Sequence, residues 1–166
     1  MAGHTYAVLD VSLRQLGPDE AHDVIERRRP SAGWALDFPT DVDVAVAKLG
    51  RPYLVEPIEP WSSPWLIIAD EVVAGMLGFK GPPKVDEIEV GYGVVPSFQG
   101  RGVATAALGR LLEEVRDRGL AVRAETATWN VASQGVLRRL GFLEVGRSWS
   151  PKDSDLIQWR RAAPDR

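Results

Sequence analysis

The sequence contains no cysteine among its 166 residues. This absence excludes disulfide bonds, thiolate metal sites and a cysteine nucleophile. Histidine is also scarce: His4 lies near the N-terminus and His22 falls in a predicted helix, so both are poor catalytic candidates. Neither histidine has acidic neighbours at the spacing of a metal site, and we therefore expect no bound metal.

Long apolar runs are missing as well, and the longest run of basic residues is the three arginines at 27–29. No stretch approaches the roughly 18 apolar residues that a membrane helix needs, and the N-terminus lacks the pattern of a signal peptide. We therefore expect a soluble, cytoplasmic protein with no membrane partner. The net charge of −3 at pH 7 argues against nucleic acid as the main partner.

The length fits one domain, residues 1–166, with a sizeable core. The patterns predict, in chain order, a strand, two helices, three strands, a helix, a strand, a helix and two strands. This order favours an α+β fold in which helices cover both faces of a mixed, mostly antiparallel sheet. The predicted ranges are 6–13, 18–28, 41–49, 65–69, 72–79, 85–95, 103–115, 121–127, 130–140, 143–149 and 154–159.

A strand, a glycine-rich loop and a helix follow one another between residues 85 and 115. The loop contains Gly100 and Gly102, and the helix after it has an apolar face with a period of about 3.6 residues. The first amides of a helix lack intrahelical partners and carry partial positive charge, and glycine gives an anion access to them. Arg101 adds a full positive charge. We predict that residues 99–104 bind the phosphate groups of a cofactor.

Side chains alternate along the strand that precedes this loop. The apolar face, expected to pack on the core, carries Ile88, Val90, Tyr92 and Val94. The opposite face carries two carboxylates, Glu87 and Glu89, and then two bare positions, Gly91 and Gly93. Glycine lets another molecule approach the backbone closely, so a ligand is expected on this second face.

One interpretation of the glycine loop is a dinucleotide-binding fold, with Glu125 at a suggestive distance. The fit is poor, because Thr105 replaces the third glycine of the GxGxxG pattern and the preceding strand follows a hairpin. The sequence also lacks the GxxxxGK[ST] motif of P-loop nucleotide sites.

Three motifs in order provide a more specific interpretation. Gln99-x-x-Gly102-x-Ala104 is followed by Asn130-x-x-Ser133 and then by Leu140-Gly141-Phe142. This series resembles the GNAT superfamily of N-acetyltransferases, most closely the branch that acetylates ribosomal-protein N-termini and small amines. The resemblance implies acetyl-CoA as co-substrate, the fold outlined above, and direct transfer of an acetyl group to a primary amine.

The resemblance also implies roles for individual residues of the cofactor site. The residues matching the pyrophosphate loop of the family are Gln99, Gly100, Arg101, Gly102, Val103 and Ala104. The backbone of Val94 and Val95 is expected to pair with the pantetheine amides and to help hold the thioester. Asn130 and Ser133 are expected at the pantetheine arm, although Asn130 can equally be an ordinary helix cap.

Glu89 is the candidate general base. Direct transfer needs a neutral amine, and a positioned carboxylate can remove the ammonium proton directly or through water. Strand alternation places Glu89 beside the expected thioester, and Glu87 is the second choice. Many family members carry a tyrosine general acid where this chain has Leu137, so the general acid is unassigned and solvent could protonate the departing thiolate.

The acceptor amine is expected between the loop near Trp34 and the last hairpin. The candidate lining residues are Trp34, Asp37, Phe38, Trp61 and Trp149. Aromatic rings with an acid suit a cation, whether a peptide N-terminus, an aminoglycoside-like amine or another small amine. The alternative for Trp34 and Trp61 is that they cover the edge of the core.

Two further expectations concern the whole protein. A homodimer is plausible from the family resemblance. A non-catalytic acyl-CoA sensor is the alternative function, supported by the leucine at position 137, whereas Glu89 and the intact glycine loop favour an enzyme.

Overall fold

A computed structural model describes residues 9–30, 33–50 and 59–165 of the chain. These ranges contain four α-helices: α1 (Pro18–Ile25), α2 (Asp41–Gly50), α3 (Val103–Glu113) and α4 (Val131–Arg139). The described residues also form seven strands: β1 (Val11–Gln15), β2 (Trp65–Ala69), β3 (Val72–Phe79), β4 (Glu87–Val94), β5 (Ala121–Ala127), β6 (Leu143–Ser150) and β7 (Ser154–Arg161).

All seven strands form one sheet in the order β1-β2-β3-β4-β5-β7-β6. Every neighbouring pair is antiparallel except β4 and β5, which run parallel. The α+β class and the mixed, mostly antiparallel sheet are therefore confirmed. A doubly wound parallel sheet, which dinucleotide binding needs, is not what this chain forms.

Helices lie on both faces of the sheet. The Tyr92 side chain on β4 bonds to Ser133 in α4. A Cβ on Gly93, which points to the opposite face, would lie 3.9 Å from a methyl group of Val42 in α2. Because consecutive side chains of a strand alternate in direction, α2 and α4 cover opposite sides of β4.

Local sequence determines where α2 begins. The Thr40 hydroxyl accepts a hydrogen bond from the Asp43 amide at 3.3 Å, and the Asp43 carboxylate accepts the Thr40 amide at 2.8 Å. This reciprocal cap satisfies two donors at the helix start. Burial raises the pKa of Asp43, and the hydrogen bonds from Thr40 only partly offset that effect.

The central hairpin and α3 also form as their patterns predict. Asp70 and Glu71 adopt positive φ angles of 48° and 65° in the tight turn between β2 and β3. Such a turn matches the right-handed twist of the flanking strands. The apolar face of α3 is buried against the sheet through Val103, Ala107, Leu108, Leu111 and Leu112, and Val115, which follows the helix, is buried as well. This buried face fixes the glycine loop at the N-terminus of the helix.

The first strand differs from its prediction. The expected range was 6–13, whereas β1 begins at Val11 and continues to Gln15. Residues 6–8 lie outside the described part of the chain. Pairing with β2 extends the strand, because Gln15 lies opposite Trp65 at its far end. Within the described ranges, no helix has the length and apolar character needed to cross a bilayer.

Candidate active site

The central feature of the site is a cleft between β4 and β5. The two strands pair only where Glu87–Glu89 lies beside Ala121–Arg123. Beyond this point a cavity of about 240 Å³ separates them, and it extends to the start of α4. We call it the Ser133 cavity; its lining includes Gly91, Tyr92, Glu125, Trp129, Asn130, Ser133 and Asp153.

A second cavity of about 300 Å³ lies over the paired part of the two strands. We call it the Glu89 cavity; its lining includes Lys84, Glu87, Glu89, Arg123 and Gln158. Lys80 and Glu125 line both cavities. The two cavities therefore adjoin along the polar face of β4 that the sequence pattern predicts.

The unpaired edge of β4 presents backbone groups to the Ser133 cavity. The Glu89 carbonyl accepts the Lys80 amide and the Val95 amide donates to Ala74, so odd-numbered residues of this strand direct their polar groups toward β3. In a strand the direction alternates, so the polar groups of Val90, Tyr92 and Val94 face the cleft.

This alternation changes the expectation for the Val95 backbone and agrees with the expectation for Val94. Both backbone groups of Val95 are already used, the amide by Ala74 at 2.8 Å and the carbonyl by Phe98 at 3.0 Å. Val95 therefore does not present a free pairing edge. Val94 does face the cleft, where its carbonyl accepts the Gln99 side-chain amide at 2.9 Å. Gln99 thus joins the end of β4 to the glycine loop.

The glycine loop has the geometry of an anion site. Gly100 and Gly102 have left-handed φ angles of 72° and 78°, and a Cβ at either position would meet nothing within 4 Å. The first helical bond of α3 is donated by Ala106 to Gly102 at 3.1 Å. The amides of residues 103–105 precede that bond and are directed toward the open space at the helix start.

Arg101 is held at the edge of this loop by two contacts. Its guanidinium lies 3.1 Å from the Asp70 carboxylate and 4.9 Å from the centre of the Phe98 ring. The Arg101 side chain is 43% exposed, so the ion pair is weak in water. A phosphate at the helix start can therefore attract this arginine without disrupting a buried network.

On the other side of the cleft, the Asn130 and Ser133 side chains lie together at the start of α4. The Asn130 side-chain oxygen accepts the Ser133 amide at 3.2 Å, which makes Asn130 the N-cap of α4. The cap uses only the oxygen of the side-chain amide, and its NH₂ group is a donor that can serve a ligand in the cavity.

Tyr92 connects β4 to α4 across the cleft. Its hydroxyl lies 2.7 Å from the Ser133 hydroxyl and 3.1 Å from the Ser133 carbonyl. Burial raises the pKa of the Tyr92 phenol, and the bond with Ser133 only partly counters this. The phenol therefore stays protonated at neutral pH and can donate a hydrogen bond. Tyr92 thus holds the start of α4, on the far side of the Ser133 cavity, against β4. The sequence pattern placed Tyr92 on the apolar face of β4 and did not indicate this role.

Glu89, the candidate base, lines the Glu89 cavity and has a partner. Lys80, the residue after β3, forms an ion pair with the Glu89 carboxylate. Both groups are partly exposed, 37% for Glu89 and 54% for Lys80. Because the pair lies in contact with water, a ligand can separate it at small cost.

Glu87, the second choice, is held more firmly. Arg160 donates to one carboxylate oxygen at 2.7 Å and Arg123 to the other at 3.3 Å. The hydrogen bond from Arg160, followed by that from Arg123, lowers the pKa of Glu87 despite partial burial. Glu87 is therefore a weak proton acceptor, and Glu89 is the better candidate.

Trp34 and Phe38 lie inside the protein instead of lining the acceptor site. They are 8% and 3% exposed, and their rings meet edge to face at 5.0 Å. Hydrogen bonds between Trp34's neighbours and Val73 anchor this loop to β3. The two rings belong to the core. The structure therefore agrees with the alternative that Trp34 covers the edge of the core.

The other three acceptor candidates are also directed elsewhere. The Asp37 carboxylate bonds to Ser97. Trp61 packs beneath the Arg118 guanidinium at 4.8 Å, at the opposite end of α3 from the glycine loop. Trp149 is exposed, but it alternates with Ser148, whose hydroxyl bonds to Glu125 on the polar face. Trp149 therefore projects from the opposite face of the hairpin.

The cleft instead contains polar and aromatic residues that sequence reasoning missed. Trp129 is 73% exposed and lines the Ser133 cavity, as do Glu125 and Asp153. Leu137, where a tyrosine acid stands in many family members, is fully buried. The leucine side chain has no acidic proton, so position 137 does not supply a general acid in this chain.

Comparison with known families matches residues 10–143 to the acetyltransferase (GNAT) domain. The chain belongs to the GNAT acetyltransferase family. The match runs from just before β1 to the start of β6. It therefore includes the glycine loop, Glu89, and the strands β4 and β5 on either side of the cleft. The GNAT assignment agrees with the three motifs noted in the sequence.

Individual GNAT relatives agree with this assignment. Over 87 residues the chain is 32% identical to YdaF of Bacillus subtilis (strain 168), provisionally named a ribosomal N-acetyltransferase; the match covers 49% of this chain and 46% of YdaF. The chain thus matches about half the length of that relative.

Solved structures share the fold at low sequence identity. A RimL ribosomal L7/L12 α-N-protein acetyltransferase in complex with coenzyme A superposes with a TM-score of 0.66 at 22% identity, covering 92% of this chain and 94% of that one. A ribosomal-protein-S5-alanine acetyltransferase from Vibrio fischeri gives 0.68 at 16%, covering 93% and 94%.

Proposed function

We propose that this protein is an N-acetyltransferase that moves the acetyl group of acetyl-CoA directly to a primary amine. The observation that carries the proposal is the alignment, along one strand, of three elements. The glycine loop follows β4, the open edge of Val90–Val94 flanks the Ser133 cavity, and Glu89 lies at the other end of that edge. An anion site, a pairing edge and a base thus occur in the order that acetyl-CoA and an amine require.

Acetyl-CoA is expected to bind through backbone groups more than through side chains. The pyrophosphate would meet the amides of residues 103–105 and the open space over Gly100 and Gly102, with Arg101 nearby. The pantetheine arm would lie in the Ser133 cavity and pair with Val90, Tyr92 or Val94 as an added strand. The Asn130 NH₂ group is a further donor to this arm.

Transfer then needs three events at the junction of the two cavities. Glu89 accepts a proton from the ammonium group of the acceptor, directly or through water. The neutral nitrogen attacks the thioester carbonyl carbon, and the carbon–sulfur bond breaks. The thiolate leaves, and the nitrogen loses its second proton to solvent. The thiolate takes a proton from solvent, because Leu137 provides none.

We infer that the acceptor carries a positive charge and enters beside Trp129. Glu125 and Asp153 line the Ser133 cavity together with that indole. Carboxylates and an aromatic face attract an ammonium group. The names of the relatives refer to ribosomal proteins, and that of RimL to an α-N-protein acetyltransferase. A protein N-terminus is therefore the first acceptor to test and a small amine the second. A single domain over residues 1–166, a cytoplasmic location and a homodimer remain predictions from sequence.

The test is acetyl-CoA turnover against a panel of N-terminal peptides, polyamines and aminoglycosides, followed through release of free CoA thiol. Acetylation of at least one amine is expected. A matched thermal-shift series compares CoA, NAD and ATP, because a ligand at about 100 times its Kd adds roughly 2.7 kcal/mol of stability. Stabilisation by CoA without turnover of any amine would favour the sensor alternative, and equal stabilisation by NAD would contradict the cofactor assignment.

A further inference from the structure

Lys80 lies in the position that an acceptor amine must reach. Its backbone amide donates to the Glu89 carbonyl at 2.8 Å, which places the two side chains next to each other on the polar face. The Lys80 ammonium group pairs with the Glu89 carboxylate. A primary amine of the protein itself is therefore in contact with the candidate base.

The stem of Lys80 crosses the bare part of β4. Its Cε atom would lie 3.5 Å from a Cβ on Gly91, so the missing side chain leaves the space in which the lysine lies. Lys80 lines both the Glu89 cavity and the Ser133 cavity. Its side chain thus spans the junction of the two cavities, where the thioester is expected. The flexible four-carbon stem lets the Lys80 amine move from Glu89 to that junction.

We propose that Lys80 is a site of intramolecular acetylation, modified by acetyl-CoA bound in the same chain when no better acceptor is present. This inference rests on the proposed acetyltransferase function and adds a second acceptor to it. In the reaction Glu89 takes one proton from the Lys80 ammonium group. The Lys80 nitrogen then bonds to the acetyl carbonyl carbon and the carbon–sulfur bond breaks. The nitrogen loses a second proton to solvent, and the departing CoA thiolate takes a proton from solvent. The products are Nε-acetyl-Lys80 and CoA.

The modification has a direct electrostatic consequence. Acetylation removes the positive charge from Lys80 and therefore abolishes its ion pair with Glu89. The acetylated side chain remains over Gly91, where an incoming amine would lie. The reaction is expected to stop at one acetyl group per chain, and a good acceptor amine is expected to suppress it by competing for Glu89.

The chain supplies matched controls for this proposal. Its four lysines are Lys48, Lys80, Lys84 and Lys152. Lys84 lines the same Glu89 cavity as Lys80, yet within the described residues it forms no ion pair with a carboxylate. Simple exposure to acetyl-CoA would modify Lys84 as readily as Lys80, whereas base-assisted transfer selects Lys80.

The experiment incubates the full chain with acetyl-CoA and no added amine, and follows the intact mass and the position of each acetyl group by peptide mass spectrometry. Wild type is expected to gain one acetyl group on Lys80, at a rate per molecule that does not change with protein concentration. Lys80→Arg should lose this label and Lys84→Arg should keep it. Glu89→Gln should slow the labelling by about 10²–10⁴-fold, the usual effect of positioned acid–base catalysis.

Two results would overturn the proposal: no label on Lys80, or labelling of Lys84 and the other lysines at the same rate as Lys80. Turnover of an added amine without Lys80 labelling would reject this inference alone. Absence of both turnover and labelling would reject the acetyltransferase function as well.

Discussion

The carboxylate of Asp37 accepts two hydrogen bonds from Ser97, one from the backbone amide at 2.8 Å and one from the hydroxyl at 2.7 Å. Ser97 lies in the turn of residues 96–98 that follows β4 and precedes the glycine loop. The loop before α2 is thereby attached to the segment that sets the start of the proposed phosphate site. Partial burial raises the pKa of Asp37, but the bonds from Ser97 outweigh it, so the pKa lies below its ordinary value.

The Asp37–Ser97 contact predicts a pH-dependent stability difference. Because the pKa is lowered in the folded protein, the contact stabilises the fold above the ordinary carboxyl pKa of about 3.9, and this stabilisation is lost as the pH falls through the folded pKa. Asp37→Asn should therefore be less stable than wild type at neutral pH and equally stable in acid. Urea unfolding at several pH values measures this. A difference that does not change with pH would show that the charge of Asp37 is irrelevant, and Ser97→Ala controls for the hydroxyl alone.

The glycine loop predicts that Gly102→Ala weakens acetyl-CoA binding. Gly102 has a φ of 78°, and the open space beside it is where the phosphate is expected. Gly119, at the far end of the α3 segment, has a φ of 65° and lies away from the loop. Alanine at either position costs about 1–2 kcal/mol of strain.

The two glycine variants therefore differ in binding and not in stability. Isothermal titration should show about tenfold weaker acetyl-CoA binding for Gly102→Ala, equivalent to about 1.4 kcal/mol, and nearly wild-type binding for Gly119→Ala. Equal affinities in the two variants would place the phosphate site elsewhere.

The contact between Tyr92 and Ser133 predicts an energetic coupling across the cleft. Tyr92→Phe and Ser133→Ala each remove one hydroxyl from the 2.7 Å pair. If the pair holds α4 against β4, the double variant should lose less stability than the sum of the single variants. The expected coupling is about 0.5–1.5 kcal/mol, the usual net contribution of one hydrogen bond. Strict additivity in urea unfolding would mean that the two hydroxyls do not interact in solution.

Much of the fold follows from local sequence. The structure agrees with prediction where neighbouring residues support the same local pattern. Examples are the apolar stripe of α3, the hairpin turn at Asp70-Glu71 and the strand 121–127. Alternation along β4 places Glu87 and Glu89 on one face before any coordinates are known. The glycine loop could be predicted for the same reason, because its chemistry lies in six consecutive residues.

The rest of the site depends on contacts between distant parts of the chain. Asp37 and Ser97 are separated by 60 positions, and Tyr92 and Ser133 by 41. The pairing of Lys80 with Glu89 depends on the register between β3 and β4, which periodicity alone does not fix. No hydrophobic periodicity around Trp34 indicated whether its side chain is buried or exposed. Its loop packs against β3, and the side chain is buried.

The measurement that tests the central claim most directly is the acetyl-transfer rate of Glu89→Gln, with Glu125→Gln as a control on the same polar face. Glutamine keeps the shape of Glu89 but cannot accept a full proton. Turnover at neutral pH should fall by about 10²–10⁴-fold, acetyl-CoA affinity should barely change, and the loss should shrink as rising pH delivers more neutral amine. Glu125→Gln should affect the KM of the acceptor more than the rate. Near wild-type turnover by Glu89→Gln at neutral pH would contradict the assignment of Glu89 as the base.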